Sequence, residues 1–215
     1  EVLLSFGWLH AHEVGRAVDL VLQVGLKHLG VVADALNCLP LPEHVSTDKG
    51  SMHFVNPLTA IGLVERITLP GAQAAIQTAA CSQLGRMIVR LCQSNRIPLI
   101  NIVRRDEQVR ILKEEFGQKY VLNQNSETFK QDLKNLAIDL RATVLLECVG
   151  GTMSAELLEC MPARSTCVLY GSLREVALEG FDPLLLIGRG YTLDSFILGE
   201  YVKSKGLTGI LPLIN

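Results

Sequence analysis

The feature that most constrains this chain is a rhythm that begins near residue 74, where short and continuously apolar runs alternate with longer amphipathic stretches. The runs are Ala74–Thr78, Leu99–Val103, Tyr120–Leu122, Thr143–Cys148 and Thr166–Tyr170. Between them lie Leu84–Ser94, Glu107–Phe116, Ser126–Leu140 and Thr152–Met161, which carry helical patterning. A strand that is apolar at every position, rather than at every second one, has no side to give to water, so both faces of its sheet must be covered. Helices between such strands act as crossovers that bring the chain back to the same end of the sheet, which makes the strands parallel and the connections right-handed. The expected fold class is therefore α/β, a doubly wound parallel sheet.

Upstream of residue 74 the pattern differs. Over Glu13–Leu29 the apolar residues Val14, Ala17, Val18, Val21, Leu22 and Leu29 fall near helical spacing, which predicts an amphipathic helix. Leu39-Pro40-Leu41-Pro42 cannot continue a helix, because proline lacks the amide, so it reads as an extended connector. A boundary is expected there, with residues 1–45 a short, helix-like remnant of a second domain and 46–215 the main domain. Asn56-Pro57 followed by Leu58, Ile61, Leu63, Val64 and Ile67 predicts a helix capped by Asn56 with Pro57 in its first position, stopped by Pro70-Gly71.

Composition excludes several classes. Twenty Lys and Arg against twenty-two Asp and Glu leave a formal net charge of −2 without any basic block, so a nucleic-acid partner is not expected. Six scattered cysteines form no CxxC pair and have no histidine at ligand spacing, so neither bound metal nor a disulfide framework is expected. Val18–Leu26, the greasiest stretch, is broken by Asp19 and Gln23 and is too short to span a bilayer, so no membrane association is expected. His10-Ala11-His12-Glu13 lacks a third ligand and reads as surface histidines. The chain opens on Glu1 rather than Met, which is expected of a sequence cut short at one or both ends.

The most informative stretch is Ala74–Gly85, a buried strand running through small residues into a helix. Amides at such a helix start point at whatever lies above the sheet edge and attract phosphate. The dinucleotide fingerprint G-x-G-x-x-G is absent, its spacing held by Ala79, Cys81 or Ser82, and Gly85; a tight turn that needs small residues for packing is the alternative. About twenty residues on, where a NAD site usually places an acid for the ribose 2′-hydroxyl, the second strand ends in Arg104-Arg105. Two guanidinium groups there suit a 2′-phosphate, so NADP(H) is the expected cofactor of a Rossmann-type domain. Alternatively the arginines solvate a surface turn, with Asp106 left to serve a ribose hydroxyl. Glu147-Cys148-Val149-Gly150-Gly151 and Tyr170-Gly171-Ser172 put glycines directly after strands, where a flat ring can approach the backbone. Cys148 itself reads as core packing.

Taken in order, Phe54–Ala60, Ile76–Gly85, Ile100–Arg105, Glu147–Gly151 and Tyr170–Ser172 resemble the cofactor domain of medium-chain dehydrogenases/reductases. The likeness runs over roughly Val32 to Val202 and is greatest to the zinc-free branch of 2-enoyl thioester reductases and quinone-oxidoreductase-like proteins. That resemblance implies Asn56 near the cofactor at a domain junction, and Cys81, Ser82, Gln83 and Leu84 around the pyrophosphate. It implies Arg104, Arg105 and Asp106 at the adenosine phosphate. Tyr170, Gly171, Ser172, Leu173, Phe196, Ile197 and Leu198 would then wall the nicotinamide. Family members begin with a β-rich catalytic domain, of which only the exit near Val32–Pro42 is matched here; the tyrosine that donates a proton from that domain has no counterpart in this sequence, so catalytic residues stay unassigned.

The functional expectation is an NADPH-dependent oxidoreductase, or a fragment of one, acting on a small-molecule substrate with an activated double bond such as an enoyl thioester, enone or quinone. The alternative is a catalytically inactive NADP(H)-binding or scaffolding protein. A zinc-dependent alcohol dehydrogenase is disfavoured, because its ligands are absent. Relatives of this kind pair the edges of their cofactor sheets, which makes Phe181–Ile187 either a homodimer interface or buried core. The cytoplasm is the expected compartment, with the mitochondrial matrix as the alternative.

Overall fold

A computed structural model of the chain describes residues 17–18, 33–34, 46–50, 52, 54–68 and 73–214. It divides into two compact units, Glu1–Phe54 and Val55–Asn215. In the first, strand β1 (Ala17–Val18) pairs antiparallel with β2 (Ala33–Asp34), and a short helix, α1, covers Thr47–Gly50. The helix expected over Glu13–Leu29 falls mainly outside the described residues. Where it is described, at Ala17–Val18, the chain is strand instead, in keeping with the Cβ branching of valine, which favours extended backbone. The expected connector Leu39–Pro42, His10, His12, Glu13 and the stop at Pro70-Gly71 also lie outside the described residues.

The second unit follows the rhythm of the sequence. Its elements are α2 (Val55–Ile67), β3 (Ala74–Gln77), α3 (Gln83–Ser94), β4 (Leu99–Val103), α4 (Asp106–Glu114), β5 (Val121–Asn123) and α5 (Phe129–Asp139). They continue with β6 (Ala142–Glu147), α6 (Met153–Glu159), β7 (Thr166–Leu169), α7 (Pro183–Arg189), β8 (Thr192–Ser195) and α8 (Leu198–Ile214). Six parallel strands stand in the order β5-β4-β3-β6-β7-β8, so the chain starts at the centre, winds outward on one side and returns to wind outward on the other. This is the Rossmann arrangement. Its switch point lies between β3 and β6, where the loops after neighbouring strands leave toward opposite faces and open a crevice.

Period-two alternation sorts the strand residues between two cores. Ala75, Val103 and Leu146 pack with Leu63, Ile88 and Leu112 on the side of α2, α3 and α4. Ala74, Ile76 and Ile100 pack with Leu133, Leu145 and Leu157 on the side of α5 and α6. Each large side chain buried this way contributes roughly 1.5–3 kcal/mol, and α3 shows the resulting division: Ile88, Val89 and Cys92 point inward while Arg86 and Arg90 face water.

Two departures from expectation have simple causes. Helix α2 begins at Val55, so Asn56 lies within its first turn rather than capping it. Pro57 is still in that turn, where amides have no intrahelical partner to lose. The sixth strand, β8, has no apolar run because it is the sheet edge, with Thr192, Leu193 and Ser195 exposed. Among the described residues no helix is long and apolar enough to cross a membrane.

Candidate functional site

The switch point is built from four strand ends. After β3 the chain turns through Ala79, whose φ of +49° is unusual outside glycine, and enters α3 at Ser82. The Ser82 hydroxyl accepts the Gly85 amide at 3.0 Å and thereby caps the helix. Gly85 must remain glycine for a steric reason: a Cβ there would stand 2.5 Å from the Ala80 carbonyl oxygen and 2.7 Å from that of Ala79. The loop thus lies against the helix start, and Arg86 Nε donates to the Cys81 carbonyl at 2.9 Å to hold it. Cys81 is buried, Leu84 half-buried, and Ser82 and Gln83 are exposed at the cleft.

Beyond β4, the backbone of Arg104 is pinned from both sides while its side chain is left free. Its amide donates to Gln108 Oε1 at 3.1 Å, and its carbonyl accepts from Asn125 Nδ2 at 2.8 Å. Asp106 accepts from Asn123 Nδ2 at 2.7 Å, which spends one of its carboxylate oxygens on the loop itself. Arg104 and Arg105 are exposed, and neither guanidinium forms an ion pair among the described residues. Two adjacent exposed guanidinium groups can receive an anion here, with Asp106 and Glu107 of the first turn of α4 next to them.

The floor of the crevice is organised by Glu147, a residue the sequence reading did not single out. Its carboxylate is fully buried and meets donors rather than a cation. One oxygen accepts the Val149 amide at 2.7 Å and Thr78 Oγ1 at 3.4 Å; the other accepts Ser154 Oγ at 2.7 Å and the Gly150 amide at 3.1 Å. This clamps the ends of β3 and β6 to the start of α6. An acid at the end of an apolar run, followed by Gly-Gly and a serine, was the available signal.

Over this clamp the loop after β7 lies on the loop after β6, with the Leu173 amide donating to the Cys148 carbonyl at 2.8 Å and the Arg174 amide to that of Val149 at 3.0 Å. Gly150, at φ +82°, turns the chain where few other residues can. Gly171 permits the approach of the two loops, since a Cβ would meet that of Cys148 at 3.1 Å. Burial raises the Cys148 thiol above its ordinary range, and burial together with that thiol raises the Tyr170 hydroxyl well above its own. Both groups therefore stay protonated near neutral pH. Gly171, Ser172 and Leu173 are exposed along the rim.

Other residues implied in the site sit differently from one another. Asn56 is half-buried in the first turn of α2. Ile197 is exposed and Leu198, half-buried, begins α8. Phe196 is buried: its ring fills the space above Gly62, where a Cβ would come within 2.5 Å, and it meets the Tyr201 ring at 5.5 Å. A cavity of about 370 Å³ lies beside the crevice rather than at the α3 loop, lined by Gln124, Ser126, Lys130, Thr152, Glu156 and Arg174. Among the described residues no three His, Cys, Asp or Glu side chains converge as a metal site would require.

Known proteins resemble this chain in sequence and in fold. The family model described as zinc-binding dehydrogenase matches residues 84–214. The mitochondrial enoyl-[acyl-carrier-protein] reductase of Caenorhabditis elegans is 30% identical over 182 residues, covering 82% of this chain and 51% of its own length. The mouse protein of the same name is 29% identical over 169 residues, 76% of this chain and 45% of its own. Among solved structures, one assigned as an NADPH:quinone reductase from Mesorhizobium loti superposes with a TM-score of 0.78 at 31% identity, covering 86% of this chain and 53% of that one. A mutant enoyl thioester reductase from Candida tropicalis shares the fold at TM-score 0.66 and 21% identity, over 79% of this chain and 50% of its own. The chain spans about half the length of the curated relatives it matches. It belongs to the zinc-binding dehydrogenase family, within the medium-chain dehydrogenase/reductase superfamily, on the branch resembling enoyl and quinone reductases.

Proposed function

We propose that the second unit binds NADPH across the carboxyl edge of its sheet, and that the protein passes hydride to an activated double bond such as an enoyl thioester, enone or quinone. The observation that carries this reading is the corner formed by the α3 start and the unpaired Arg104 and Arg105. Guanidinium groups bind phosphate through forked, charge-assisted hydrogen bonds, and helix amides receive a pyrophosphate. When bound, the nicotinamide supplies the hydride. The residues of this chain hold and orient it: Cys81 to Leu84 at the pyrophosphate, Arg104 and Arg105 at the 2′-phosphate, Asp106 at the ribose, and the Tyr170–Leu173 loop along the ring. Names of the relatives support the substrate class, and the word mitochondrial in them supports the matrix as compartment.

A homodimer built through the edge strand β8 is part of the same reading. Leu184 and Ile187 on α7 are 79% and 78% exposed, so the segment expected to be either interface or core presents these two side chains to the outside.

The test is a calorimetric titration of the full chain with NADPH and NADH, beside Arg104→Ala and Arg105→Ala. Loss of one charge-assisted contact, worth about 1.5–3 kcal/mol, weakens NADPH roughly 10- to 150-fold and leaves NADH nearly unchanged. Equal loss for both dinucleotides, or none for either, removes the 2′-phosphate assignment.

A further inference from the structure

A row of three buried amide side chains runs beneath the α3 loop, where hydrophobic residues would pack with less penalty. Gln77, the last residue of β3, is the register partner of Asn101 on β4, and both are fully buried. Gln77 Nε2 donates to Asn101 Oδ1 at 2.7 Å and to the Gly85 carbonyl, in the first turn of α3, at 3.2 Å. Asn101 Nδ2 donates onward to Gln118 Oε1 at 3.0 Å and to the Leu99 carbonyl at 3.1 Å. Gln118 Nε2 closes the row on the Phe116 carbonyl at 3.2 Å. Gln77 Oε1, buried, has no hydrogen-bond partner. A row with an unsatisfied acceptor is a poor way to add stability; what it does supply is a constrained distance, since Asn101 accepts from Gln77 and Gln118 accepts from Asn101 in bonds that weaken away from a narrow range of length and angle.

That distance joins two elements of the proposed cofactor site. One end of the row holds the first turn of α3, and its middle sits on β4, three residues before Arg104. The loop amide of Ala80, donating to the Ile102 carbonyl at 3.2 Å, ties the same two elements through the backbone. We propose that Gln77 and Asn101 are positioning residues that set the separation between the α3 amides and the Arg104–Arg105 pair, and so set the preference for a dinucleotide carrying a 2′-phosphate. This rests on the cofactor reading above. A ligand gripped at two points gains from both only when their spacing matches its own, whereas a ligand gripped at one is indifferent to that spacing.

The experiment compares the full chain with Gln77→Met and Asn101→Leu, each titrated with NADPH, NADH, ADP-ribose and adenosine 2′-monophosphate. ADP-ribose reports the α3 site without the 2′-phosphate contact, and the monophosphate reports the arginine corner without the pyrophosphate contact. The expected result is a rise of about tenfold or more in the Kd for NADPH, with the other three probes changed less than about threefold, so that the NADPH-to-NADH preference falls. Gln77→Met keeps length and volume, so it serves should Asn101→Leu fail to fold. Parallel weakening of all four probes, or unchanged NADPH binding, would mean the row is only packing and overturns the proposal. Failure of the unaltered chain to bind NADPH overturns the cofactor reading and this inference with it, an outcome distinguishable because it needs no variant.

Discussion

Gly85→Ala is the sharpest test of the loop geometry, because general helix behaviour and the local structure predict opposite signs. In a helix interior alanine is more favourable than glycine by about 0.8–1.0 kcal/mol. Here the added Cβ would lie 2.5 Å from the Ala80 carbonyl oxygen, and ordinary contact begins near 3.4 Å, so the loop or the helix must retreat by about 0.9 Å. All three nearest atoms are backbone, and their loop already holds Ala79 at positive φ, so no flexible side chain can yield instead. A retreat of that size would stretch the 3.0 Å capping bond from the Gly85 amide to Ser82 and the 3.2 Å bond from Gln77 beyond hydrogen-bond range. Overpacking at about 1–3 kcal/mol and loss of the cap at about 1 kcal/mol outweigh the propensity gain, leaving a net destabilisation of about 1–3 kcal/mol. Urea unfolding measures this through the midpoint at unchanged m, and the same samples titrated with NADPH should bind at least about tenfold more weakly. Gly188→Ala in α7, where a Cβ meets nothing within 4 Å, is the control and should be neutral or mildly stabilising. A Gly85→Ala protein as stable as its parent would refute the steric account of the loop.

Two further predictions follow from burial. The Cys92 and Cys167 thiols are each pushed by desolvation from 9.0 to about 12. The folded state therefore keeps its protons where the unfolded chain loses them: stability is intact below pH 9 and falls between pH 9 and about 12, by about 1.4 kcal/mol per pH unit for each thiol. Urea midpoints between pH 8 and 10.5 should show this slope, and Cys92→Ala with Cys167→Ala should flatten it; a parent midpoint insensitive to alkali would contradict it. Ile187→Lys, at a position 78% exposed, should change stability by no more than about 0.5 kcal/mol. Under the dimer reading it should also halve the mass seen by sedimentation, and an unchanged mass would remove α7 from the interface.

What was legible in the sequence follows from where water lies. Strands β3, β4, β6 and β7 are covered on both faces, so their hydrophobicity is continuous and their limits could be read within a residue or so. The edge strand β8 has an exposed face, and Thr192-Leu193-Asp194-Ser195 carries no run to recognise. The loops were legible through their small residues and the cations of Arg104-Arg105, yet the groups that hold those loops were not. Gln77, Asn101 and Glu147 look like interruptions to an apolar pattern when hydropathy is the only question asked. Each is instead buried with several hydrogen bonds, on β3, β4 and β6, the three strands at or beside the switch point. The coincidence has a physical basis: a loop that must present amides or cations to a ligand cannot be held by packing alone, because its exposed side has nothing to pack against. Directional bonds from beneath supply the hold, and only polar side chains at the strand ends can make them. A polar residue inside an otherwise apolar parallel strand therefore points to the loop it supports.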